Sequence, residues 1–456
     1  MIVRTLVALL IVLVAACGSN PPYLTRDELM DPTTCTKCHA DHYTQWAGSM
    51  HAYAADDPVF LAMNARGQKA TAGALGSFCV TCHAPMALEL GLTTDGTNLA
   101  SVPKYARGVT CYYCHSVASV EDDHNAAITL ADDGVLRGGI TNPADSPAHA
   151  AARSPYLDGH APESAQMCGA CHDVTTPAGV HLERTFAEWR GTIFGQDNPR
   201  THLSCAQCHM FATDGVVTSG DDAAHLDVPL RPQGVHEHTF AGIDTALTDW
   251  PSKPAQLAAI ARDLDPALGA KLCMSPADGD RIEVTLDDRG PGHNWPSGAN
   301  QDRRAWVEVI AYDAGGKVVF SSGVVPDDKD PDEIGDANLW TMHDKVTDAT
   351  GKPAHFFWEV ATFDGKDSLP PAVTTVPSDP RYYHAVTHTY PIAGKLATID
   401  HVDMRVLIRP LPHAMLNDLI AGGELAAAPV ASMPTLELAG TKLRWTQAMG
   451  TTTCAQ

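Results

Sequence analysis

The sequence predicts an α+β fold: a domain of short helices followed by a C-terminal β-sandwich-like domain. Three observations predict it. The pattern Cys-x-x-Cys-His recurs five times between Cys35 and His209. The spacers between copies are rich in Ala, Gly, Pro and Asp and hold few long apolar periodicities, so they suit short helices. Beyond residue 276 the apolar period changes to two, which is the signature of half-buried strands.

The chain begins with a secretory signal over residues 1–16. Arg4 supplies the positive charge, Leu6 to Val14 form an unbroken apolar run, and Ala15-Ala16-Cys17 end it. That run is far shorter than the roughly 20 residues that cross a bilayer. Val14-Ala15-Ala16-Cys17 resembles a bacterial lipobox, which implies lipidation at Cys17 and anchoring to a membrane surface. Gly18 in the next position, where an aspartate would favour the inner membrane, implies the outer one. Residues 17–34, with Pro21, Pro22 and Pro32, read as a tether.

The five motifs occupy residues 35–245. They are Cys35-x-x-Cys38-His39, Cys79-x-x-Cys82-His83, Cys111-x-x-Cys114-His115, Cys168-x-x-Cys171-His172 and Cys205-x-x-Cys208-His209. Each reads as a c-type haem attachment site: two thiols add across the vinyl groups of one porphyrin edge, and the histidine reaches the iron. At this cysteine and histidine content about 0.02 chance matches are expected, so five are no accident. Paired cysteines also bind zinc, but zinc sites do not demand a histidine after every second cysteine. Five covalently attached haems c, each with its iron, then replace much of the missing apolar core.

Of thirteen cysteines, ten lie in motifs and Cys17 is the lipidation candidate. Cys273 and Cys454 remain, and an oxidising compartment predicts a disulfide between them. Residues 246–275 hold a connecting helix, with Pro254 in its first turn and Leu257, Ile260, Ala261, Leu264 and Leu268 at helical spacing. Residues 276–456 form the β-rich domain. Ile282, Val284 and Leu286 alternate with polar residues, as do Val402, Met404, Val406 and Ile408. Asp313-Ala314-Gly315-Gly316 marks a hairpin between Ala305–Tyr312 and Lys317–Phe320, and Thr347 to Gly351 marks another turn.

The stretch CTKCHADHYTQWAGSMHAYA from Cys35 resembles the opening of multihaem cytochromes c similar to the tetrahaem cytochrome of hydroxylamine oxidation. GVTCYYCH at Gly108, LSCAQCHM at Leu203 and GHNWPSG at Gly292 resemble the same superfamily. The resemblance implies a short-helix haem array, and a distal histidine after Trp46 and Ser49, which is His51. Four more distal candidates are His238 in HTFAG, His293 in GHNWP, His149, and His124 with His160, His236 and His181 as alternatives. Methionines near the motifs, Met50, Met86 and Met210, read as packing residues, and Tyr112 and Tyr113 as porphyrin contacts. Glu188, Trp189 and Arg184 suit either a channel wall or the shielding of a propionate.

If every iron carries two histidines, the chain passes electrons between redox proteins that act as donor and acceptor. If one iron lacks its second ligand, the chain is a reductase of nitrite or hydroxylamine. A third reading is a structural subunit of a respiratory complex, a cytochrome filament or a homo-oligomer. The surplus of histidines and the absence of a lysine in any proximal position favour the carrier, in the periplasm or at the outer membrane. The formal net charge of −23 excludes nucleic acid as a partner and favours basic docking proteins.

Overall fold

The computed structural model describes residues 23–144, 146–277 and 279–456; the signal and Cys17 lie outside them. The first half is a set of short helices and two-stranded ribbons, and several of the helices start at a polar side chain that caps them. Thr25 and Glu28 form a capping box on Arg26–Met30, and Ser204 and Gln207 form one on Cys205–His209. Ser49 caps Met50–Tyr53, Thr110 caps Cys111–His115, and Asp57 caps Pro58–Ala70, where Pro58 takes the first position. The apolar cores here are small. One gathers Leu29, Phe60, Val80, Met86, Leu99, Tyr112 and Tyr113.

The second half is a sandwich of two antiparallel sheets. One runs Val386–Pro391, Arg281–Asp288, Leu268–Ser275. The other runs Val318–Ser322, Arg304–Tyr312, His401–Arg409, Leu436–Thr446, with Thr341–Met342 pairing on Arg304–Tyr312. Along Arg281–Asp288 burial alternates residue by residue, so Ile282, Val284 and Leu286 face inward. They meet Val307, Val309, Val402, Met404 and Val406 from the other sheet in one core. Each such side chain stabilises the fold by about 1.5–3 kcal/mol relative to an exposed one. The expected hairpin is present: Asp313 Oδ1 accepts from the backbone N–H of Gly315 and of Lys317, 2.9 Å each, and Gly316 sits at φ 78°. At the second turn Asp348 plays the same part toward Thr350 and Lys352.

The connecting helix is shorter than its apolar pattern predicts. It spans Lys253–Leu264, and Leu268 opens a strand of the sandwich. Pro266 explains the break, because it has no N–H with which to continue the helix beyond Asp265. Ile260 and Leu264 are buried against the sandwich core while Leu257 faces solvent.

The halves are packed together. Val59 and Ala62 of Pro58–Ala70 share a core with Met415, Leu416 and Leu419 of helix His413–Ala421, and Arg66 binds Glu424 at 2.6 Å beside it. Among the described residues no helix is long and apolar enough to cross a membrane. Cys273 and Cys454 form a disulfide across a sequence separation of 181, and the adjacent Leu272 and Ala455 exchange backbone hydrogen bonds. It ties the chain end to an edge strand and restricts the unfolded chain. Cys454→Ser is expected to lower stability by about 2–4 kcal/mol, read as a drop in midpoint in thermal or denaturant unfolding, with the visible spectrum unchanged.

Candidate cofactor site

Each motif closes one turn of helix. The His39 N–H reaches the Cys35 carbonyl at 2.7 Å, His83 that of Cys79 at 3.2 Å and His172 that of Cys168 at 3.1 Å. Residues three and four apart share a helix face, so both thiols and the imidazole point the same way. All ten motif cysteines and all five motif histidines line one continuous cavity of about 2120 Å³.

Three motif histidines each face a second histidine across this cavity. Ring centres are 6.5 Å apart for His39 and His149, 6.4 Å for His115 and His238, and 6.2 Å for His51 and His172. An iron bound by two imidazoles requires roughly 6 Å: two metal–nitrogen bonds of about 2 Å and about 1 Å from each nitrogen to its ring centre. His293 also lines the cavity, close enough to His209 for their charges to interact.

Protonation fits the same role. Nδ1 lies 2.9 Å from the Val217 carbonyl in His39, 2.9 Å from Ala241 in His209 and 3.1 Å from Ala150 in His149. In His238 it is 2.9 Å from the His236 carbonyl, and in His293 2.8 Å from that of Asn294. A carbonyl only accepts, so Nδ1 carries the proton and Nε2 keeps its lone pair for a metal. Burial disfavours the imidazolium. It holds His51 down to about 3 and His83 and His293 to about 4, and lowers His39, His115, His172 and His238.

Local sequence explains each placement. Trp46 Nε1 donates to the Val109 carbonyl at 2.8 Å, and the Val109 N–H donates to the His51 carbonyl at 2.9 Å. Gly108 precedes it at φ 71°, and a Cβ there would lie 2.6 Å from the His51 oxygen. Ser146 Oγ accepts from the N–H of Ala148 at 3.1 Å and turns the chain into His149. Gln45 Oε1 accepts from the His238 N–H at 2.9 Å. Glu188 anchors the loop after His293, accepting from Asn294 at 3.0 Å and Ser297 at 2.6 Å, while Arg184 pairs with Asp173 at 2.9 Å. Glu188 is thus a loop anchor rather than a channel wall.

His124 lies elsewhere. It is not among the cavity-lining residues, and its Nδ1 sits 3.1 Å from Asp123 and 3.3 Å from Asp122. Two neighbouring carboxylates draw the ring toward the surface. His181 is likewise outside, bonded to Thr175 at 2.9 Å, whereas His160 and His236 line the cavity. His42 is a cavity residue that sequence reasoning passed over, with its ring 4.8 Å from that of His238 and 6.0 Å from that of His39. Its signal was its position three residues after His39 on helix Ala40–Ala47. His83 stacks on Phe60, centres 4.2 Å apart and planes within 6°. Among the described residues no second histidine ring faces it; the histidines whose charges it feels, His172 and His51, face each other.

The cysteines set an order. Cys35 lies beside Cys111, Cys82 beside Cys171, and Cys168 beside Cys205. The first motif therefore abuts the third, and the fourth abuts the second and the fifth. Cys114 acts on Cys168 and joins third to fourth. The donor set, its neutral imidazoles and the shared cavity fit covalently bound haem c.

Residues 34–116 match the family model of cytochrome c554 and c-prime. No curated protein matches the chain. Among solved structures it is similar to a penta-heme cytochrome c552 from Thermochromatium tepidum, at 20% identity and TM-score 0.60, over 90% of this chain and 97% of that one. The motifs, the family match at the first three of them and the shared fold identify the chain as a multihaem c-type cytochrome.

Proposed function

We propose that the chain carries five haems c, one on each motif, and passes electrons along them between redox proteins outside the cytoplasm. The observation that carries this reading is the facing of motif histidines by second histidines at 6.2–6.5 Å, with Nδ1 held by a backbone carbonyl and Nε2 left free in His39, His149, His115 and His238. Haem iron supplies one-electron exchange between its ferric and ferrous states. The residues do the rest. His39 with His149, His115 with His238 and His172 with His51 would each hold an iron from two sides and leave no place there for a substrate, and His293, on the cavity wall near His209, would serve the fifth motif in the same way. Buried Tyr112 and Tyr113 would shield the cavity from water, and the closeness of Cys35 to Cys111, Cys82 to Cys171 and Cys168 to Cys205 brings those motifs together.

Export is supported by residues 1–16 and by the Cys273–Cys454 disulfide, which belongs to an oxidising compartment. Lipidation at Cys17 would hold the body at a membrane face, in keeping with a periplasmic or outer-membrane site. The acidic surface suits basic donors and acceptors. Electron exchange with a small basic cytochrome c is expected to slow as ionic strength rises, since the Debye length falls from about 10 Å at 0.1 M to about 3 Å at 1 M; stopped-flow rates check this.

One observation favours a second reading for the second motif alone. Because no histidine ring faces His83 among the described residues, an iron held there would have room for a small molecule, which suits a reductase of nitrite or hydroxylamine. Electron paramagnetic resonance of the oxidised protein is expected to show four low-spin irons and one high-spin iron. Five low-spin signals would discard the reductase reading. His238→Gly is expected to add a second high-spin signal, while His124→Gly leaves the spectrum unchanged.

A further inference from the structure

A second cavity, of about 110 Å³, lies where helix Thr185–Arg190 meets the loop after His293 and the β-rich domain. Glu188 comes from the helix, Asn294 and Asn300 from the loop, Asp344 from the strand Asp344–Thr347, and Ser368 from the chain just after the strand Thr362–Lys366. Among the described residues no histidine or cysteine is on its wall.

Asn300 is the side chain that asks for a partner. It is 5% exposed, and its Nδ2 donates to Asp344 Oδ1 at 2.9 Å and to Ser368 Oγ at 2.6 Å. A carboxylate only accepts, so the amide is fixed in this orientation. Asn300 Oδ1 is therefore left buried, with no donor among the described residues, on a side chain that lines the cavity. Buried polar oxygens are seldom left so.

The charges point the same way. Asp344 acts on Glu188, whose two oxygens accept from Asn294 and Ser297 and each keep a further lone pair. Two cations also line the cavity. Arg184 is bound to Asp173 at 2.9 Å, and the Lys366 ammonium lies over the Phe363 ring, 4.2 Å from its centre, with its charge reaching both carboxylates.

We propose that this cavity binds a calcium ion through Glu188, Asp344 and Asn300 Oδ1, with water completing the shell. A wall of hard oxygen donors without imidazole or thiolate disfavours zinc and copper. Calcium accepts an irregular shell of carboxylate, amide and water oxygens, whereas magnesium demands a near-ideal octahedron. At about 30 Å³ per water the cavity has room for an ion and its remaining waters. Bound there, the ion joins the helix that follows the fourth motif to the loop that carries His293, and it would do so however the irons are ligated.

Equilibrium dialysis of the chelator-treated holoprotein against radioactive calcium is expected to show one saturable site per chain with Kd below about 1 mM, and a thermal midpoint that rises with calcium. Asp344→Asn and Glu188→Gln, which keep the side-chain shape, should each weaken that site by at least about tenfold. Because the whole chain is acidic, the pair Asp122→Asn, Asp123→Asn, beside His124, is the control and should leave the site intact. Absence of a saturable site means a water-filled cavity and overturns the proposal, as does a site that survives Asp344→Asn or is lost in the control. A site that appears only in Lys366→Gln also overturns it, since the lysine ammonium is then the resident cation. If Asp344→Asn fails to fold, carbodiimide labelling of the wild type decides: calcium should slow modification of Asp344 and leave that of Asp122 unchanged, and equal rates at Asp344 with and without calcium refute the site.

Discussion

Everything in the first half depends on keeping imidazoles neutral with one nitrogen presented to the cavity. Water would protonate or solvate them; burial prevents the first, and backbone carbonyls fix which nitrogen holds the proton. Val217, Ala241, Ala150 and Asn294 do this through main-chain oxygens, so this task itself makes no demand on their side chains. The ordering cost of such short helices is not offset by their own apolar faces. A large rigid cofactor surface at the centre makes up the difference.

The sandwich is a frame for part of that centre. Its apolar core is continuous and borders the cavity at Leu264, Ala267, Trp295 and Ile408, and the loop from Gly290 to Arg303 reaches across and contributes His293 and Arg303. Helix His413–Ala421 packs on Pro58–Ala70, the helix that presents Phe60 to His83. The β-rich domain thereby holds one wall of the cavity on strands that cannot easily shift, a rigid backing for residues whose positions matter to fractions of an ångström.

Sequence spacing carried most of this. The motifs located ten cysteines and five histidines at once, because covalent attachment admits one spacing, and strand alternation located the sandwich. Second histidines were harder to read. His51, His149, His238 and His293 line the cavity, but nothing in linear order says which motif each faces; His51 meets the fourth motif and His149 the first. His124 misled because a histidine among aspartates and one among carbonyls look alike until the chain folds. Leu268 was misplaced since its apolar spacing continues a helix that Pro266 ends.

The segment from His236 to Asp244 concentrates an unusual number of tasks. His238 faces His115, Phe240 touches both His51 and His238, the Ala241 carbonyl orients His209, and Asp244 holds Arg303. Nine consecutive residues therefore touch the surroundings of at least three motifs. Tuning of individual potentials by mutation is constrained accordingly: a change here moves several centres together, whereas independent adjustment has to come from residues such as Ser146 or Glu188 that serve a single histidine. Over evolution this segment should behave as one inherited block, and the potentials it touches as a correlated set.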